Sequence, residues 1–174
     1  MNILVLGLGN ILMSDEGVGV RLAQAIEDRY HVPDGIEVVD GGTTAWDLLD
    51  QMAERDFVLI GDAVNSADAP GTIVRLQDDE VPAFFRTKLS PHQVGLTDML
   101  ATLKLKGDAP KRIVIIGVVP ADLSQDIKLS ETVKGVFDQA LSHMVAELAE
   151  VGVALTPKDP SEFSDTEKLW AEPW

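Results

Sequence analysis

The sequence predicts an α/β fold: a three-layer αβα sandwich around a mostly parallel five-stranded sheet, with the fourth strand antiparallel. Three observations carry that expectation. Short apolar runs closed by glycine or aspartate alternate with segments whose apolar residues recur at helical spacing, the pattern of strands buried on both faces beneath covering helices. Apolar residues make up 45% of the 174 positions and charged ones 25%, as in globular domains. The link around Pro70-Gly71 is too short for a helical crossover, so the strand after it turns back.

The elements follow in chain order. NILVLGLG (2–9) reads as a buried strand. From Asp15 to Tyr30, Val18, Leu22, Ala23 and Ile26 keep helical spacing. IEVVD (36–40) is the second strand and opens into the turn DGGT; Trp46, Leu49, Met52 and Ala53 mark a second helix. DFVLIGDAV (56–64) is the third strand, with Asp62 at its carboxyl end, and TIVRLQ (72–77) is the fourth, running antiparallel to it. At 90–105 Ser90, Pro91 and Gln93 make a capped helix start. RIVIIGVV (112–119) is the last core strand. Residues 131–150 form an amphipathic helix whose apolar side is Val133, Val136, Phe137, Ala140, Leu141, Met144, Val145 and Leu148. The reading is one domain over 1–155. A polar, acidic tail over 156–174 is either mobile or docked through Trp170 and Trp174.

Composition narrows the partners. A net charge of −15 repels phosphate backbones and anionic lipid, which argues against nucleic acid and membrane partners. It suits a cationic partner as well as simple solubility. Without cysteine there are no disulfides, thiolate metal sites or thiol nucleophiles, in keeping with a reducing compartment. The run MNILVLGLGNILM lacks a basic start and is interrupted by glycines, so it reads as a strand rather than a signal peptide.

Ligands of open α/β sheets bind at the carboxyl edge of the strands, and three acids fall there: Glu16 after the first strand, Asp40 ending the second and Asp62 ending the third. Any one of them is accounted for by capping a turn. Together they call for a cation or a proton, because grouped carboxylates repel one another. Of the three histidines, His31 and His143 are expected to face solvent. His92 lies in the first turn of a capped helix, where the positive helix end keeps imidazole neutral and able to bind metal. Glu16, Asp62 and His92 make an oxygen–oxygen–nitrogen set suited to a borderline divalent ion such as zinc or nickel. Residues 78–89 are long enough to bring His92 to the edge. The opening GLGNILMSDEGVGV (7–20) begins like a dinucleotide-binding turn. However, Leu12 stands where glycine or alanine is needed, and Asp15 and Glu16 lie where pyrophosphate would go. Asp40, placed where a ribose-binding acid would lie, is what remains of that alternative.

GLGNILMSDEGVGVRLAQAI, VVDGGTTAWDLL, FVLIGDAV, LSPHQVGLTDML and IIGVVP, in this order across residues 1–150, resemble the hydrogenase maturation endopeptidases. These enzymes trim the C-terminus of the large subunit of nickel–iron hydrogenases. The resemblance implies that Glu16, Asp62 and His92 bind metal and that Asp40 in the DGGT turn serves catalysis or substrate recognition. Either Asp40 or Asp62 would be the general base, and the peptidase would be of an aspartic or metal-dependent type. The metal implied is nickel already held by the substrate precursor, with zinc or cadmium able to occupy the same set. It also implies a cytoplasmic enzyme, expected as a monomer, whose partner is the large-subunit precursor. The alternative is a non-enzymatic metal-binding maturation chaperone with the same residues.

Overall fold

A computed structural model describes residues 1–43, 45–85 and 91–166, without the side chains of 45, 46 and 91–94. Its strands are β1 (Ile3–Leu8), β2 (Tyr30–His31), β3 (Ile36–Gly42), β4 (Phe57–Ala63), β5 (Ile73–Gln77), β6 (Ile113–Val118) and β7 (Thr156–Pro157). Its helices are α1 (Val18–Arg29), α2 (Leu49–Met52), α3 (Glu80–Phe85), α4 (Pro91–Lys106) and α5 (Glu131–Glu150). The main sheet has the order β3-β1-β4-β6-β5. Every pairing in it is parallel except β5 with β6. The predicted sandwich and its antiparallel fourth strand are therefore present. One detail differs: β5 is bonded to β6, and β6 separates it from β4. The reason lies in the side chains. All six residues of β6 are buried, so it needs a neighbour on each side, whereas β5 carries the exposed Arg75 and Gln77 and suits an edge.

Strand alternation divides the core in two. Ile3, Val5, Leu59, Val114 and Ile116 pack beneath α1 and α5, against Leu22, Ile26, Phe137 and Met144. Leu4, Leu6, Val58, Ile60 and Ile115 face the other way, toward Met52, Phe85, Leu96, Met99 and Leu103 of α2, α3 and α4. The buried side of α5 contains one charge that the apolar stripe does not foretell. Glu147 is 5% exposed, is bound in fork fashion by Arg75, and lies 3.5 Å from Arg112 Nη2. The hydrogen bond to Glu147 raises the Arg75 pKa above its ordinary value, and the pair ties α5 to the sheet's antiparallel edge.

Several short elements were not anticipated, among them α3 and the β2–β7 pair. Helix α3 occupies part of the 78–89 connection. Residues 156–157, placed in the tail, pair with β2. Lys158 extends that contact: its N–H donates to Arg29 O at 2.8 Å and its ammonium to Glu27 O at 2.8 Å, so a lysine satisfies the final carbonyls of α1. Ser164 adds a contact to the same helix end, its hydroxyl donating to the Asp28 carboxylate at 2.7 Å. Trp170 and Trp174 lie outside the described residues. Among the described residues no helix is long and apolar enough to cross a membrane.

Candidate functional site

The chain leaves β1 for β3 on one side and leaves β4 for the β5–β6 side on the other, so the sheet's switch point lies between β1 and β4. The crevice at the carboxyl ends of such strands is where α/β sheets bind ligands. The strand register puts Gly7 level with both Asp40 and Gly61, and Asp62 one residue further, level with Gly117. Glycines at this row let other backbone come close. Gly9, at φ +127°, has Glu16 O where a Cβ would stand (1.8 Å), and a Cβ on Gly19 would lie 2.2 Å from Gly61 O and 2.4 Å from Leu8 O. The turn Ser14–Gly17 and the start of α1 are thereby pressed onto the ends of β1 and β4. Gly19→Ala is expected to destabilise by about 2 kcal/mol or more, because both obstacles are backbone and α1 must move. A melting curve should show a fall of roughly 4–8 °C.

The candidate residues reach this edge by different routes. Asp62 is 0% exposed at the end of β4. Glu16 is half-buried in the turn that packs against β4. Asp40 is exposed, and its carboxylate accepts the Gly42 N–H at 3.0 Å, which is the turn-capping role open to any single strand-end aspartate. His92 lies in the first turn of α4, and its side chain is outside the described residues. Helix α4 ends before the loop that enters β6 at the opposite edge. At 1.5 Å per residue it is about 24 Å long, so its first turn belongs to the carboxyl edge. Among the described residues no three metal-binding side chains already form a cluster. His31 and His143 are exposed, as expected.

Two residues were misjudged or missed from sequence. Asp15, grouped with Glu16 at the mouth of the turn, is 0% exposed and is taken up by the chain's own donors. It accepts hydrogen bonds from the backbone N–H groups of Ala121, Asp122 and Ser130 at 2.8, 2.9 and 2.7 Å, and from the Ser130 hydroxyl at 2.8 Å. The two acids have divided the work: Asp15 anchors the loop after β6, and Glu16 is left at the edge. Arg21, missed altogether, is 6% exposed on α1 and donates to Ile127 O at 3.4 Å. Burial lowers its pKa, and the charge of Asp40 opposes that shift, so a buried cation stands within electrostatic reach of Asp40. The signal was a basic residue between Val18 and Leu22 on an apolar stripe. A cavity of about 560 Å³ lined by Asp78, Thr97, Lys104, Pro110 and Ile113 opens at the other, amino edge of the sheet, away from these groups.

The profile of the hydrogenase maturation protease family matches residues 20–147. The chain belongs to that family. This protease is 48% identical over 160 residues to the hydrogenase 2 maturation protease of Escherichia coli K12, covering 91% of this chain and 98% of the relative. It is 41% identical to the hydrogenase expression/formation protein HupM of Azotobacter chroococcum, over 97% of this chain and 79% of that one. Among solved structures, the hydrogenase maturating endopeptidase HybD from E. coli superimposes with a TM-score of 0.88 over 91% of this chain and 98% of its own, at 48% identity. The maturation protease HybD from Thermococcus kodakarensis gives 0.66 at 28% identity, over 87% and 98%. The protease is thus a peptide-bond hydrolase, and the dinucleotide alternative is set aside.

Proposed function

We propose that this endopeptidase removes a C-terminal peptide from the large-subunit precursor of a nickel–iron hydrogenase after nickel is installed, recognising that nickel through Glu16, Asp62 and His92. The observation that carries the reading is the wholly buried carboxylate of Asp62 at the switch point, at the end of a strand onto which the close approach of backbone at Gly9 and Gly19 packs the turn that contains Glu16. Two oxygens and one imidazole leave coordination positions for the ligands a substrate brings. Zinc or cadmium fits the same donors.

Hydrolysis adds hydroxide to the scissile carbonyl carbon and a proton to the departing nitrogen. A carboxylate at the edge takes the proton from water and returns it to the amine. Asp62 and Asp40 are the two candidates, and the buried Arg21 guanidinium stands within electrostatic reach of Asp40. Nickel in the precursor supplies a Lewis acid for the carbonyl or a fixed point that positions the bond. The compartment in keeping with this reading is the cytoplasm.

The test is the intact mass of a large-subunit precursor, prepared with and without nickel, after incubation with the purified protein. Loss of one C-terminal peptide from the nickel-loaded form alone is the expected result. Trimming of both forms would remove nickel from recognition, and trimming of neither would leave the chaperone alternative.

A further inference from the structure

The residue that breaks the dinucleotide fingerprint, Leu12, has no part in the site described above, yet it is 56% exposed. Leu123 is 52% exposed and comes from a segment more than a hundred residues away. The two segments are joined. Met13 bridges Asp126 in parallel fashion, Ser14 N–H donates to Asp126 O at 2.7 Å, and Asp15 N–H donates to Asp122 O at 3.1 Å. Asp15 holds the beginning and the end of the same loop through its own side chain.

A single exposed leucine on a protein surface needs no explanation. These two differ because their backbones are fixed, and fixed beside the turn that carries Glu16. Leu105, 90% exposed at the far end of α4, is the ordinary case for comparison. Two acidic groups lie on the loop that carries Leu123. Asp122 and Asp126 are exposed on the loop, and hydrogen bonds from Ser124 hold the Asp122 carboxyl below its usual range, so it stays charged.

We propose that Leu12 and Leu123 form a docking ridge for the large-subunit precursor, which meets it with an apolar segment flanked by lysine or arginine. The identity of the partner rests on the function proposed above; the apolar and basic character of the contact rests on the ridge itself. An apolar contact next to the site would hold the precursor while its chain end enters. Charge complementarity with a chain of net charge −15 would speed the encounter.

The experiment measures the Kd of a fluorescently labelled, nickel-loaded precursor for the wild-type protein and for Leu12→Ser, Leu123→Ser, the double variant and Leu105→Ser. KM and kcat are taken in parallel. Burying a leucine on binding is worth roughly tenfold or more in affinity. Leu12→Ser and Leu123→Ser should each raise Kd and KM about tenfold with kcat within about twofold, while Leu105→Ser changes neither. Raising the salt concentration should weaken wild-type binding, since the charges are exposed. All three leucines are at the surface, so the variants should melt with the wild type. An unchanged Kd for the double variant, or an effect equal to that of Leu105→Ser, would overturn the ridge, as would a wild type that does not bind. If the wild type binds but does not cleave, the peptidase proposal fails and the Kd series still decides the ridge.

Discussion

Asp62→Asn is expected to slow precursor cleavage by roughly 10²–10⁴-fold while the protein stays folded. The substitution keeps the shape of the side chain and removes its charge. In the proposed reaction that charge is needed both to bind the nickel-loaded precursor and to accept a proton from water. The packing of the fold is kept: the amide fills the volume that Asp62 fills at 0% exposure, so no cavity opens. Intact-mass time courses give the rate and a thermal melt gives the fold. A variant that cleaves at the wild-type rate would exclude Asp62 from the site. One that loses both activity and melting transition would make its role structural. Asp40→Asn separates the two candidate bases. If Asp62 is the base, the Asp40 variant retains most of the chemical rate, with any defect confined to the turn that Gly42 N–H closes on Asp40.

How far the sequence discloses all this depends on where each signal resides. Strands buried on both faces advertise themselves as continuous apolar runs, and β1, β4 and β6 were legible for that reason. Loop length reports the direction of β5 and not its neighbour; the polar Arg75 and Gln77 against the uninterrupted IVIIGV held the information that β5 lies at an edge. The position of the candidate acids at one sheet edge was legible because strand ends and helix starts place residues without reference to the rest of the chain. What could not be read was the difference between Asp15 and Glu16. The same chemistry at adjacent positions becomes a wholly buried anchor or a half-buried group at the sheet edge only through contacts with residues 121–130, which no local pattern reports. Glu147 and Arg21 belong to the same class: charges on apolar faces whose partners come from distant strands and loops.

Asp15→Ala should be the most destabilising of these substitutions, by about 4 kcal/mol, from the loss of hydrogen bonds to a buried charged acceptor and the donors left unpaired. That corresponds to a drop in Tm on the order of 10 °C. The donors are three backbone N–H groups and the Ser130 hydroxyl. Ser130 also caps α5, its side chain accepting the Val133 N–H, so the Asp15 charge sits at the positive end of a 20-residue helix. Asp15→Asn should recover little of the loss. Oδ1 accepts from Ser130 N and Oδ2 from Ala121 N and Asp122 N, so either orientation of an amide aims its NH₂ at an N–H donor; only a carboxylate accepts at both ends. The damage should extend to activity. Ser14 has a left-handed φ of 48°, a conformation costing on the order of 1 kcal/mol, and is held there by hydrogen bonds from its N–H and hydroxyl to the loop that Asp15 fixes. Release of that loop frees the turn that presents Glu16. The measurement is a melt paired with a cleavage assay at a temperature where the variant is still folded. A variant that melts with the wild type would show that the loop is held without Asp15. One that is destabilised yet processes at the normal rate would show that the clamp serves the fold and not the placement of Glu16.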